Sequence, residues 1–123
     1  MAWYRCVGNS SGGGSEIETI LTNGVVSTDS AYATAYFDKN ISGESGGILI
    51  RLRDNFNGIN WVNYAYVPKE NIPSDDNYIV VTISLHQNIQ LRVYNDKIIG
   101  SSYSGAFCYI YADIVGFAKE IYT

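Results

Sequence analysis

Catalysis requires side chains that can titrate, attack or hold a metal, and in this chain they are few and scattered. The only histidine, His86, falls in the loop of a predicted hairpin, where a solvated ring is expected rather than a catalytic one held by a second group in a cleft. Cys6 and Cys108 stand near opposite ends, and nothing in their spacing demands a bridge, so they read as free thiols. No GxSxG, HExxH or CxxC occurs, and no glycine-rich phosphate loop follows a strand and opens a helix. A glycosidase needs only two carboxylates. Asp54, Asp75, Asp76, Asp96 and Asp113 all fall at strand ends or turns, where aspartate is favoured for local hydrogen bonding alone. The run Asp75-Asp76-Asn77 supplies too few of the six to eight oxygens that Ca²⁺ requires. No catalytic residue, metal ligand or cofactor is therefore assigned.

A more informative cluster lies on two neighbouring strands, residues 47–54 (GILIRLRD) and 60–67 (NWVNYAYV). On the first, Ile48, Ile50 and Leu52 face inward and Leu49, Arg51 and Arg53 outward. The second leaves two choices open. If Val62, Tyr64 and Tyr66 point inward, Trp61, Asn63 and Ala65 join the arginines outside; in the opposite register Tyr64 and Tyr66 do. Either way aromatic, amide or guanidinium groups share one surface, suited to stacking on sugar rings or to the aromatic and Arg-rich centre of a protein interface. The candidate binding residues are Arg51, Arg53, Trp61, Asn63, Tyr64 and Tyr66.

The elements that must position these residues are strands. The clearest is the hairpin at 78–95 (YIVVTISLHQNIQLRVYN), with Ile79, Val81, Ile83 and Leu85 on one face and Ile89, Leu91 and Val93 on the same face after the turn. A loop of His86-Gln87-Asn88, with Asn88 in the left-handed region, sets Leu85 against Ile89, Ile83 against Leu91 and Val81 against Val93. Thr82 then faces Arg92, and Val80 faces Tyr94. Thr22-Asn23-Gly24 predicts a small hairpin between 16–21 and 25–28. Residues 31–38 alternate as a strand whose buried side stays open. Residues 54–58 predict a turn, Pro68 ends a strand for want of an N–H, and 107–122 read as one or two closing strands. Turn signals recur at the spacing of sandwiches and barrels, giving an all-β, antiparallel β-sandwich, jelly-roll-like, of about eight to nine strands.

The chain has 123 residues, 46% hydrophobic and 16% charged, with eleven Tyr and twelve Gly, which suits one strand-rich domain with a sizeable core. A net charge of −4 and the lack of a basic run argue against nucleic acid and anionic membranes as partners. No stretch has the length of a membrane span, and the first residues lack the pattern of a secretory signal. Residues 1–15 are expected to be an aromatic head followed by a Gly/Ser linker (GNSSGGGS, 8–15), and residues 16–123 the sandwich domain.

The start MAWYRCVG followed at once by a Gly/Ser run resembles the N-termini of small tail or virion-associated proteins of prophages from Gram-positive gut bacteria. The match covers residues 1–14. QLRVYNDK (90–97) is similar in outline to the strand and turn of lectin-like laminin-G or concanavalin-type sandwiches, a likeness of fold that carries no site. The first resemblance implies a homo-oligomer, often a trimer, or contact with other tail proteins, with Trp3 and Tyr4 docking to a neighbour. It also implies a place in the virion after synthesis in the bacterial cytoplasm. Three functions follow as expectations: a non-enzymatic structural or host-attachment domain acting through assembly, a carbohydrate-binding module with a glycan partner, and a glycoside hydrolase.

Overall fold

The computed structural model describes residues 17–28, 31–42, 45–100 and 109–118, and in them the chain is an all-β, antiparallel sandwich. Trp3, Tyr4, Cys6 and Cys108, with the whole expected head and linker, lie outside the described residues. Nine strands are present among the described residues: β1 Ile17–Thr28, β2 Ala31–Tyr32, β3 Thr34–Tyr36, β4 Ser45–Phe56, β5 Ile59–Pro68, β6 Ile79–Ser84, β7 Asn88–Val93, β8 Lys97–Ile99 and β9 Ile110–Ala118. One sheet has the order β2-β1-β9-β4-β5 and the other β3-β8-β7-β6. Strands distant in sequence lie side by side, β1 with β9 in the first sheet and β3 with β8 in the second. The β4–β5 and β6–β7–β8 runs are simple meanders.

The core is the inner face of both sheets. Ile48, Ile50 and Leu52 of β4 and Ile110 and Ile114 of β9 meet Ile83, Ile89, Leu91, Val93 and Ile98 of the other sheet, all buried. The inward side of 31–38 is now fixed: Ala35 is buried, and Tyr32, Thr34 and Tyr36 are exposed. This stretch is not one strand. It crosses from β1 to β8, and its two short pieces belong to different sheets.

Three local expectations change. The hairpin register slips by two residues: Ile83 pairs with Ile89, Val81 with Leu91, Val80 with Arg92 and Thr82 with Gln90. A slip of two keeps every side chain on its face, so the hydrophobic pattern cannot detect it. The loop is Leu85-His86-Gln87, closed by the Leu85 N–H donating to the Gln87 carbonyl at 2.9 Å, and Asn88 is a strand residue without positive φ. The Asn23-Gly24 pair does not turn the chain. β1 runs through it as an irregularity in its pairing with β9, with Asn23 at φ 55°. The turn expected over 54–58 shrinks to Asn57-Gly58, with φ of 55° and 76°, the two positive values a type I′ turn requires, and β4 continues to Phe56.

Gly58 and Gly100 separate two reasons for glycine. A Cβ on Gly58 would meet nothing within 4 Å, so its cost is conformational. A Cβ on Gly100 would overlap the Val26 carbonyl. Gly58→Ala is expected to cost about 1–2 kcal/mol in urea unfolding, and Gly100→Ala clearly more because backbone must move. Equal costs would contradict this assignment.

Candidate functional site

The β4–β5 ribbon carries all six candidate binding residues, and its pairing sorts them onto two faces. Arg51 lies opposite Tyr64, Arg53 opposite Val62 and Leu49 opposite Tyr66, so Tyr64 and Tyr66 share the outer face with the arginines. Asp54 lies opposite Trp61, Leu52 opposite Asn63 and Ile50 opposite Ala65, so Trp61 and Asn63 are on the inner side. The six residues therefore form no single surface. β5 is the last strand of its sheet, which leaves Ile59, Trp61, Val62, Tyr64 and Tyr66 exposed despite their alternation.

On the outer face β9 flanks β4 and brings Asp113 opposite Arg51 and Tyr111 opposite Arg53. Asp113 Oδ2 accepts from Arg51 Nη2 at 2.9 Å and from Arg53 Nε at 3.0 Å, while its Oδ1 accepts the Asn23 backbone N–H at 2.9 Å. Arg53 also donates to the Asn23 side-chain oxygen, and its guanidinium lies 5.0 Å from the centre of the Tyr111 ring. The left-handed residue in β1 thus aims both its backbone and its side chain at this cluster. Burial pushes the Asp113 carboxyl upward, but the Asn23 N–H and the two arginines together outweigh it and hold it below the ordinary aspartate value. Arg51 is raised by the same partnership, first through its hydrogen bond to Asp113. Both arginines are committed within the fold. Tyr66 is also held, its hydroxyl donating to the Gly46 carbonyl at 3.1 Å.

On the inner side the ribbon grips the tip of the β6–β7 hairpin. His86, expected in solvent, is largely buried: its side chain is 8% exposed and that of Asp54 0%. His86 Nδ1 approaches Asp54 Oδ2 at 2.8 Å, and Phe56 stacks on the imidazole with ring centres 4.2 Å apart and planes 4° from parallel. The approach is too poorly aligned for a hydrogen bond, and neither Asp54 oxygen accepts one among the described residues. Asn63 Nδ2 donates to the Ser84 carbonyl at 3.0 Å beside it. Burial raises the Asp54 carboxyl above its ordinary value, with the charge of a protonated His86 acting in the opposite sense.

An Asp–His pair is two-thirds of a nucleophilic triad, and no hydroxyl or thiol is seen bonded to the ring among the described residues. Among the described residues the other ring nitrogen, Nε2, meets the Gln87 amide at 3.3 Å, and the nearby Ser84 hydroxyl is bonded to Asn88 Oδ1 at 2.6 Å. The carboxylates are likewise not arranged as a facing pair: Asp54 points into the sandwich and Asp113 lies on the outside of the same sheet. Asp75 is in an exposed turn, accepting from Asn77 Nδ2 at 3.0 Å. No group of three or more metal-ligating side chains occurs among the described residues, nor any helix long and apolar enough to cross a membrane.

Asp113, Asn23 and Tyr111 joined the outer cluster without a sequence signal, because partners 30 to 90 residues apart in sequence meet only in the folded chain. Asp54 did carry one. It continues the parity of Ile48, Ile50 and Leu52 and so had to face inward. No family model, curated protein or solved structure matches the chain.

The two aspartates should give pH dependences of opposite sign. Asp113 is depressed in the fold, so its stabilisation is complete above the ordinary value of 3.8 and is lost as pH falls through the lowered folded-state value. Asp113→Asn should cost about 2 kcal/mol at neutral pH, with the deficit shrinking in acid below 3.8. Asp54 is raised, so its burial penalty is absent below 3.8 and grows as pH rises through the folded-state value. The unfolding free energy of Asp54→Asn should therefore improve relative to wild type as pH rises across that window. Denaturant titrations at a series of pH values read both; differences that do not change with pH would contradict both assignments.

Proposed function

We propose that this chain is a non-enzymatic structural or host-attachment domain of phage origin that acts by assembly, with β5 as its assembly strand. The observation that carries the reading is the composition and position of β5. It is ten residues long, contains no charged residue, stands at the end of its sheet, and leaves Val62 and Tyr64 about half exposed on one face and Ile59 and Trp61 exposed on the other. Edge strands of isolated domains are normally shortened, charged or covered, so a long uncharged one favours a partner. Some protection is built in: Asn63 Oδ1 accepts the Tyr64 backbone N–H at 2.8 Å, which covers part of the free edge. The partner is a second copy of the chain or another tail protein, and the side chains of β5 supply most of the contact. The phage origin rests on the resemblance of MAWYRCVG and its Gly/Ser run, and in this reading Trp3 and Tyr4 add a second contact. The expected place is the virion.

A saccharide reading of the same ribbon has less support, because Asp113 and Asn23 already occupy Arg51 and Arg53, and Trp61 lies on the opposite face from Tyr64. A glycosidase reading has no facing carboxylate pair to support it among the described residues.

Light scattering on the purified chain at about 0.1 mM, a concentration that populates contacts of micromolar affinity, should give a mass above the 13.6 kDa of one copy. Val62→Lys combined with Tyr64→Lys should return it to a monomer without loss of fold, since both side chains are exposed. A monomeric wild type, or an oligomer indifferent to these changes, overturns the proposal. Portal, tape-measure or holin genes beside the coding gene would support the phage origin, and a neighbourhood without them would count against it.

A further inference from the structure

The cations of this protein are not distributed alike. Arg51 and Arg53 share Asp113, and Lys39 reaches Glu18 at 3.0 Å. Arg92 and Lys97, on the outer face of the β3-β8-β7-β6 sheet, have no carboxylate partner among the described residues. They stand over tyrosines instead. The Arg92 guanidinium is 4.9 Å from the centre of the Tyr78 ring, the Lys97 ammonium 4.5 Å from that of Tyr94, and the two rings pack at 5.3 Å. Beside Arg92 an open groove of about 390 Å³ is lined by Tyr32, Tyr78, Val80, Gln90, Arg92 and Ile99. Its volume is within the range of small-molecule sites, roughly 300–1,000 Å³.

From this groove we infer a binding site for an acidic saccharide, a sugar ring bearing a carboxylate. The hairpin register is what creates it, because pairing Val80 with Arg92 sets the guanidinium next to Tyr78 at the start of β6. A guanidinium lying over an aromatic ring is fixed in orientation, yet its N–H donors radiate in its own plane and stay available. A carboxylate takes two of those donors side by side, and a guanidinium without an internal counter-ion has its charge unspent for that purpose. Tyr32 and Val80, 63% and 57% exposed, offer the apolar surface against which the C–H face of a pyranose packs. A neutral apolar ligand would leave Arg92 unanswered, and a bare inorganic anion would leave the tyrosine and valine surface unused. The site is built mainly on the strands of the β3-β8-β7-β6 sheet, with Tyr32 added from β2 at the far end of the sheet that ends in β5, and it does not rest on assembly through β5.

Amide chemical-shift titrations of the ¹⁵N-labelled chain at neutral pH and low salt, with D-glucuronate, D-glucose and inorganic phosphate as probes, test the inference. Glucuronate should shift the amides around Val80, Gln90 and Arg92 and saturate in the low millimolar range, with glucose and phosphate each weaker by about tenfold or more. Arg92→Gln and Tyr32→Ala should each weaken glucuronate by about tenfold, while Tyr64→Lys on the other sheet should leave it unchanged even where it alters the oligomeric state. Glucose binding as tightly as glucuronate, phosphate doing so, shifts confined to other strands, or indifference to Arg92→Gln would each overturn it.

Discussion

β4 is hydrogen-bonded along both edges, to β9 and to β5, so its pleat must satisfy a dry interior and a charged exterior in alternate residues. The remaining features depend on this constraint. Its inward residues supply the centre of one sheet's core and, one step further, put Asp54 against the hairpin tip. Its outward residues present two arginines to the one aspartate that β9 can offer from the same face. Shifting β4 by one residue would bury both guanidinium groups and expose Ile48, Ile50 and Leu52, so the register is strongly specified.

The Asp54–His86 contact and the Asp113 cluster solve different problems. Asp113 is a partly shielded anion whose three donors outweigh its desolvation, and it ties β1, β4 and β9 together. Asp54 is wholly buried beside the His86 ring with incomplete hydrogen bonding, an arrangement that costs stability yet fixes where the hairpin tip sits. Phe56 stacking on the imidazole and Asn63 holding the Ser84 carbonyl restrict the same tip. With Arg51 and Arg53 committed internally, the surfaces we propose to meet partners are the uncharged edge of β5 and the tyrosine-backed cations of the opposite sheet.

Much of the fold was legible because period-two alternation is a direct imprint of a half-buried strand. Ile48-Ile50-Leu52, the two apolar arms of the β6–β7 hairpin and the strand stop at Pro68 all stood in the sequence. The hairpin register did not, since an even slip leaves the alternation intact and a contact from outside the hairpin, Asp54 on His86, helps to hold the tip. Asn-Gly occurs twice with different outcomes: at 57–58 it turns the chain, whereas at 23–24 pairing with β9 on both sides keeps β1 extended and makes the same residues an irregularity. The facing of β5 was unreadable because an edge strand exposes both faces, so neither parity is distinctly apolar. The groove beside Arg92 had no signal at all, since Tyr32, Tyr78 and Arg92 come from three separate strands or their ends.

Hydrogen exchange tests most directly the proposal that this domain meets its partner through β5. Amide exchange measured in dilute and in concentrated solution should show protection rising with concentration along Ile59–Pro68 and its immediate neighbours, with β6 and β7 unchanged. Protection of β5 that is independent of concentration, or that rises on the opposite sheet instead, would contradict it.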